Sequence, residues 1–448
     1  MKYGIITLVI ACIAFTAKGQ DTLLLTYDEA IKIALKENVA LNTEKNNLFA
    51  SEVQRNSSAA AFLPGVSIDG GGNRLQGEQP NPGNGDLENF TNDSFNASIS
   101  AGITIFNGFR NIHTLNQSRH NLKAQTANVQ RTEQLVVFNV TNQYLQVLLD
   151  QELVRIAKEN MMTQQALLNQ IQEAVKLGAR AEADFYTQDA LVKSNEVLWL
   201  NAKVTLENDK ASLSQLLQLD PKINFVVQLP KLSSNLLDIQ SMSIDSLYNL
   251  ALQHRQDLRQ LEYQVDANHS GYKASAAGYL PRLTAFASYG SNYYSNLRPN
   301  PDYGDFRTQF VDVLPNTAIG FNFTIPIFDR SVTRYTRVFN RVQRDNAKLR
   351  YENLKKTVMI DVKRSYNNYI AALESYKASQ AQFKAGELAF RTQNESYLLG
   401  VSNQVAVAQA NQTYVQGAAS LAQAEVTLYF QRVLLDYALG TLTPGEIQ

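Results

Sequence analysis

Ten apolar positions in the first half of this chain recur in the second at a constant offset of 222 residues. Val147, Val154, Met161, Leu168 and Val175 return as Tyr369, Tyr376, Phe383, Phe390 and Tyr397. Phe185, Val192, Trp199, Leu206 and Leu213 return as Val407, Tyr414, Leu421, Leu428 and Leu435. Within each group the step is seven, the period of a coiled-coil seam. A register held through both groups means a duplicated unit, and duplication must be read before a domain count is taken from 448 residues. The aromatic stripe of the second copy is then seam filler, not a cofactor box. In the first copy no Gly or Pro falls between Gly108 and Gly178, which leaves 69 residues. As one helix that run spans about 100 Å. Its seam continues upward through Leu115, Leu122, Val129 and Val136, with one step of eleven before Val147 that predicts a local unwinding. The second copy departs here, carrying Arg337 and Arg344 where Leu115 and Leu122 would be.

The rest of each unit follows one plan. Thr26-Tyr27-Asp28-Glu29 has the form of a capping box and opens a helix with Ala30, Ile33, Ala34 and Leu41 on its apolar side. Residues 34–41, ALKENVAL, parallel residues 251–258, ALQHRQDL. Each helix is expected to run to a Leu-Pro, at Leu63-Pro64 and Leu280-Pro281, where proline ends it. These prolines are the expected switches from helix to strand. Two strand-like runs then flank a polar loop. Phe95, Ala97, Ile99, Ala101, Ile103 and Ile105 alternate with Ser, Asn, Gly and Thr; so do Ile319, Phe321, Phe323, Ile325 and Ile327. The companion runs at 66–70 and 283–289 are noisier, because Phe286 breaks the alternation. Residues 73–93 and 291–316 are rich in Gly, Pro, Asn and Asp and read as loops. A linker with a strand candidate at 223–227 joins the copies.

A formal net charge of zero argues against a nucleic-acid partner. The first 19 residues have a short apolar stretch and end in Ala17-Lys18-Gly19, the pattern of a secretory signal; lipidation at Cys12 is the rival reading. Cys12 is the only cysteine, so a mature exported chain holds no disulfide. No later segment is long and apolar enough for a membrane helix, so membrane entry requires a β-barrel. His113, His120, His254 and His269 form no zinc motif and read as surface or packing residues. The Gly70–Gly72 triplet is not followed by a helix, as phosphate loops are. No catalytic residue, metal site or cofactor is expected.

Long helices with narrow seams need other helices. Strands with one apolar and one polar face suit a lipid-facing barrel, yet four strands cannot close one, so the pattern demands an oligomer, preferably a trimer of twelve strands. The order of these elements, the Leu-Pro switches, IFNG at 105–108, IPIFDR at 325–330 and YALGTL at 437–442 together resemble the outer-membrane factor family, the TolC-like export ducts of Gram-negative bacteria. The resemblance implies a mixed α and β fold: a duplicated helix–strand–strand–long helix–helix unit, whose homotrimer forms a transmembrane β-barrel continuous with a periplasmic α-helical barrel. It divides the chain into a signal (1–19), a first repeat (20–222), a linker (223–242), a second repeat (243–442) and a tail (443–448). It implies an outer-membrane duct for efflux or type I secretion, with outer-membrane lipid, a periplasmic adaptor and an inner-membrane RND or ABC transporter as partners. A secreted coiled-coil structural protein is the competing reading; it accounts for the seams but not for lipid-patterned strands in duplicate.

The family resemblance also places a gate at the periplasmic turns, 176–190 and 397–410. Its acidic positions fall on Asp184 in the first turn, but on Ala406 and Gln409 in the second. The expected constriction is Asp184 with Arg180, Asp189 and Gln409. The expected adaptor-docking tips are Gly178, Ala179, Gly400, Val401 and Ser402.

Overall fold

The computed structural model of the chain describes residues 23–80, 83, 85–220, 222–228, 242–297 and 299–442. The signal, Cys12, most of the linker and the tail lie outside the described residues. The chain forms two compact units: Thr43–Arg131 with Gln256–Thr357, and Met1–Asn42 with Thr132–Arg255 and Val358–Gln448.

The duplication reappears in the element bounds. Helices α1 (Tyr27–Glu37) and α2 (Val39–Ala60) lead to strands β2 (Gly65–Pro80) and β3 (Leu87–Asn107), then to α3 (Arg110–Lys176) and α4 (Glu182–Leu217). The second copy runs α5 (Ile244–His254), α6 (Gln256–Ser275), β5 (Arg282–Tyr294), β6 (Asn316–Thr324), α7 (Val332–Leu398) and α8 (Gln404–Leu439). Helices α3 and α7 each have 67 residues, and α4 and α8 each have 36. Both pairs of bounds are 222 apart. Left-handed residues follow the same offset: Gly108 with Arg330, Phe109 with Ser331, Gly178 with Gly400, Gln218 with Gly440. All ten seam pairs are buried or half-buried.

The capping box forms at Thr26, whose hydroxyl accepts from Glu29 N while the Glu29 carboxylate accepts from Thr26 N. The helix does not run unbroken to Leu-Pro, however. Asn38 and Arg255 are extended and split each first helix in two. Asn38 caps both sides: its N–H bonds Ala34 O, and its side chain accepts from Leu41 N. Arg255 is buried and ion-paired to Asp361 at 3.2 Å. Against this second break lies Gly440, where a Cβ would come within 2.8 Å of Arg255 N. The YALGTL glycine thus serves a left-handed helix end and a close backbone approach together.

In the same unit β1 (Leu23–Leu25) pairs in parallel with β4 (Phe225–Val227), inside the expected strand. Tyr144 of α3 ties them down: its one hydroxyl proton lies between the Gln228 carbonyl at 2.6 Å and the Leu25 carbonyl at 3.0 Å, and its oxygen accepts from Gln228 N. Tyr27 meets the Tyr144 ring edge-on at 5.6 Å and bonds Thr141 at 2.7 Å. Burial pushes both phenols up to about 12.

The other unit carries an antiparallel sheet ordered β2-β3-β5-β6. Val66, Ile68, Ile99, Phe95, Ile319, Phe321 and Phe323 share its apolar face; Ile319 is 79% exposed and Phe321 72%. The Arg74–Asp93 ion pair ends that face beyond Phe95. Phe286 sits on the polar face over Gly320, where a Cβ would meet its ring at 2.8 Å, so the break in alternation is an aromatic laid across a glycine. The expected loops are shorter than composition suggested. Strand β2 continues to Pro80 and β3 starts at Leu87, because a paired partner supplies ladder bonds that polar side chains do not oppose. In the second, β5 runs to Tyr294, and Phe310 of a π-helical turn (Thr308–Val313) and Phe306 just before it lie on Phe95. Gly108, from the IFNG motif, lies where a Cβ would strike Leu280 Cβ at 2.7 Å.

The helices of this unit keep the order of the strands. Glu44 of α2 accepts from Gln125 and Asn128 of α3. His120 of α3 lies 3.8 Å from Asp266 of α6, and Lys123 lies over Tyr263. Arg337 of α7 donates to the Tyr272 hydroxyl of α6. The order is therefore α2-α3-α6-α7. Edge helix α2 exposes Phe49 and Val53, and edge helix α7 exposes Tyr335, Phe339, Val342 and Leu349.

Candidate functional site

The expected gate residues fall at two helical turns. Helix α3 ends in a Schellman motif: Ala179 N bonds Ala174 O at 2.8 Å and Gly178 N bonds Val175 O at 2.9 Å. Helix α7 ends likewise, with Val401 N to Ser396 O at 2.9 Å and Gly400 N to Tyr397 O at 3.0 Å. Both glycines have positive φ and open space where a Cβ would lie, so backbone geometry alone selects glycine.

The two turns differ at the start of the next helix. Ala181 caps α4 without a side-chain bond, and Glu182 and Asp184 place negative charge in its first turn. Asn403 caps α8, accepting from Ala406 N at 2.9 Å, and no acid follows. The second turn thus uses a neutral cap where the first uses the helix dipole.

Arg180 and Asp184 come together with a seam residue. The Arg180 guanidinium lies 4.3 Å from the centre of the Tyr397 ring, a cation–π contact that joins the first turn to the second helical hairpin. Tyr397 is buried, and its hydroxyl has no hydrogen-bond partner among the described residues. Burial raises this phenol, Arg180 lowers it, and Asp184 raises it. Gln404 of α8 reaches the Asp184 carbonyl at 3.5 Å and the Gln188 side chain at 3.1 Å. Asp189 is half-buried on α4 and Gln409 is exposed on α8; neither side chain bonds to this cluster. Gly178, Ala179, Gly400 and Val401 are exposed and Ser402 half-buried. Around them stand Leu177, Leu398, Leu399 and Val405, all exposed. Pro64 directly precedes β2 and Pro281 directly precedes β5.

Above the turns lies a buried amide ladder that the sequence reading missed. Gln188 is 1% exposed and donates to the Gln164 carbonyl and side chain at 3.0 and 2.8 Å. Asn160 donates to Asn195 at 2.7 Å and accepts from Asn411 at 2.9 Å. These bonds link α3, α4 and α8. A usable signal was present: positions 222 beyond Gln164 and Asn195 are Gly386 and Gly417, so the copies differ there in kind.

Among the described residues no group of three His, Cys, Asp or Glu side chains could hold a metal ion, and no helix is long and apolar enough to cross a membrane. The arrangement offers no nucleophile with a base. It offers polar and charged groups at turns, flanked by exposed apolar side chains.

A family model described as outer membrane efflux protein matches residues 30–218 and 247–441. Among curated proteins, the chain is 21% identical over 421 residues to the pyoverdine export outer membrane protein OpmQ of Pseudomonas putida, covering 92% of this chain and 85% of that protein. It is 22% identical over 330 residues to the outer membrane protein TolC of Salmonella enteritidis, covering 72% and 64%. Among solved structures, the outer membrane channel CmeC of Campylobacter jejuni superposes with a TM-score of 0.80 at 17% identity, covering 94% of this chain and 87% of that one. The outer membrane protein VceC of Vibrio cholerae gives 0.78 at 14% identity, covering 92% and 96%.

Proposed function

The chain belongs to the outer membrane efflux protein family, and we propose that it is the passive outer-membrane duct of a tripartite efflux or type I secretion system. The family is one of channels, not catalysts. The observation that carries the reading is the pairing of a sheet whose apolar face is exposed with two edges left open. Strands β2 and β6 flank the sheet, α2 and α7 flank the helices in the same order, and both edge helices expose apolar stripes. An open sheet edge cannot face lipid. Joining the β6–α7 edge of one copy to the β2–α2 edge of the next satisfies strands and helices together, and three copies give a twelve-stranded barrel. The same logic disfavours a secreted fibre, which has no need of apolar strand faces.

In this reading the turns at Gly178 and Gly400 are the periplasmic end of the duct, closed around Asp184, with Arg180 holding the hairpins together on Tyr397. Asp189 and Gln409 complete the polar surround. The exposed cluster of Leu177, Leu399, Val401 and Val405 about the turns suits the docking of a periplasmic adaptor, which in turn joins an inner-membrane RND or ABC transporter. Pro64 and Pro281 set where the periplasmic helices give way to membrane strands.

Planar-bilayer recording tests the gate. Removing the cation in Arg180→Ala frees Tyr397 and raises the small conductance of the closed duct several-fold. Asp184→Ala lowers its preference for cations. Wild-type conductance and selectivity in both variants would remove these residues from the gate.

A further inference from the structure

The departure of the second copy from its seam marks a second surface. Arg334, Arg337, Arg341, Arg344, Lys348 and Lys355 follow one another on α7 at steps of three, four, three, four and seven, with Tyr351 filling the remaining position. At 3.6 residues per turn they share one helix face, and they extend about 32 Å along it. The positions 222 earlier hold Ile112, Leu115, Arg119, Leu122, Thr126 and Glu133, so five of the six charges have no counterpart in the first copy, whose helix holds its place without them. Two acids answer them: Asp345 pairs with Arg344 at 2.7 Å and Glu352 with Lys355 at 3.5 Å. Among the described residues no direct ion pair holds Arg334, Arg337, Arg341 or Lys348, although Asp345 lies near enough to act on Arg341 as well.

The ladder is also gathered. Three guanidiniums surround Tyr272 of α6, with Arg344 at 4.9 Å, Arg337 at 5.3 Å and Arg341 at 6.0 Å from its ring centre. Arg337 bonds the Tyr272 hydroxyl at 3.3 and 3.4 Å. Like charges held this close favour an anion among them.

On the reading of this chain as an outer-membrane duct, the polar strand face lines the bore. Thr104, Arg282 and Thr324 of that face share a cavity of about 430 Å³ with Arg110 and Asn111 of α3. The repeat maps Arg110 onto Val332, so the bore side of α7 is that of Val332, Gln343 and Arg350. The ladder lies about half a turn away, on the outside.

We infer that this outer face of α7 docks an anionic, carboxylate-bearing cell-wall polymer, the peptidoglycan beneath the outer membrane. Length chooses this occupant over lipid. A headgroup layer adds only about 5–7 Å on each side of the hydrocarbon, so phospholipid could meet the first one or two cations of a ladder several times taller.

The experiment is co-sedimentation of the full-length, detergent-solubilised protein with purified peptidoglycan sacculi, at low and high salt, alongside bilayer conductance. The wild type sediments at low salt and is released at high salt. The combined variant Arg337→Gln, Arg341→Gln and Arg344→Gln binds about tenfold more weakly, as expected for three lost charge contacts. Lysine at the same three positions retains binding, which separates charge from fold. Replacing the exposed Lys158, Lys203 and Lys384 by Gln, an equal change in net charge, leaves binding intact. Unchanged sedimentation of the Gln variant, or an equal loss in the control, overturns the inference. So does binding in neutral-lipid nanodiscs that anionic phospholipid abolishes, since headgroups would then be the occupant. A shifted ion selectivity with unchanged sedimentation also overturns it, placing the ladder in the bore. A wild type that conducts but does not sediment sinks this inference alone; one that does not conduct sinks the duct reading beneath it.

Discussion

At the scale of single residues, the clearest electrostatic strain is at Asp150 of α3. Its side chain is buried, Gln146 donates to Oδ1 at 3.2 Å, and Oδ2 has no hydrogen-bond partner among the described residues. Burial first, and the Asp209 carboxyl of α4 second, push Asp150 up to about 7 from 3.8. A carboxyl raised in the folded state favours folding while it stays protonated. Its contribution is complete below about pH 4 and is lost as pH rises through about 7. Asp150→Asn keeps the shape and removes the charge. Thermal unfolding of the detergent-solubilised variant across a pH series is expected to show a higher midpoint at pH 8 than the wild type and a flatter slope from pH 4 to 7. A variant that kept the wild-type slope would place the pH dependence elsewhere.

At the scale of elements, the two long hairpins close the same seam by different means. Between α3 and α4, amides at Gln164 and Asn195 bridge the helices. Between α7 and α8, the equivalent Gly386 and Gly417 let the backbones approach: a Cβ at Gly417 would lie 3.3 Å from Phe383 Cα, and one at Gly386 3.3 Å from Tyr414 Cα. Phe383 and Phe390 then lie on Tyr414 at 5.7 and 5.6 Å. Glycine inside a helix costs about 1 kcal/mol against alanine, and this close packing offsets it. Gly417→Leu therefore overpacks the hairpin and is expected to lower stability by about 1–3 kcal/mol, read as a lower denaturant midpoint. The equivalent Asn195→Leu acts differently, by stranding the Asn160 amide. Much of this level was legible in advance. Helix bounds and seams follow from a period of seven, which no glycine or proline interrupts in the first copy and which Gly386 and Gly417 leave in register in the second. The amide ladder left only an indirect trace, the glycines at the repeat-related positions 386 and 417, because one Gln or Asn on a long polar helix looks like a solvated face until a partner helix covers it. The break at Asn38 was hidden for a related reason: a residue that caps two helices at once has no separate sequence signature. At the turns, Gly178 was visible as a helix stop and Asp184 only through the family resemblance, whereas the hold of Arg180 on Tyr397 depends on two segments far apart in sequence.

At the scale of the whole molecule, everything turns on which strand face meets lipid. Strand β6 gives a paired test, because Phe321 and Asn322 are neighbours on one backbone and face opposite ways. Phe321 shares the apolar face with Ile319 and Phe323; Asn322 lies opposite Thr284 on the polar face. If the apolar face meets hydrocarbon, an arginine at 321 must hold its charge in lipid, at a cost of about 2–4 kcal/mol near the bilayer midplane. In a trimer that cost is levied three times on one barrel. Phe321→Arg is then expected to deplete folded protein from the outer-membrane fraction and to abolish the oligomer that resists detergent without heating. Asn322→Arg adds the same charge one residue away, yet places it in water. It is expected to insert normally, to keep the oligomer, and to move the channel's ion preference toward anions in bilayer recordings. The contrast controls for β-propensity and for net charge, since the residue introduced is the same. Equal insertion of both variants would mean that the apolar face is covered by protein instead of lipid, and the barrel would have to be abandoned for the secreted coiled-coil alternative.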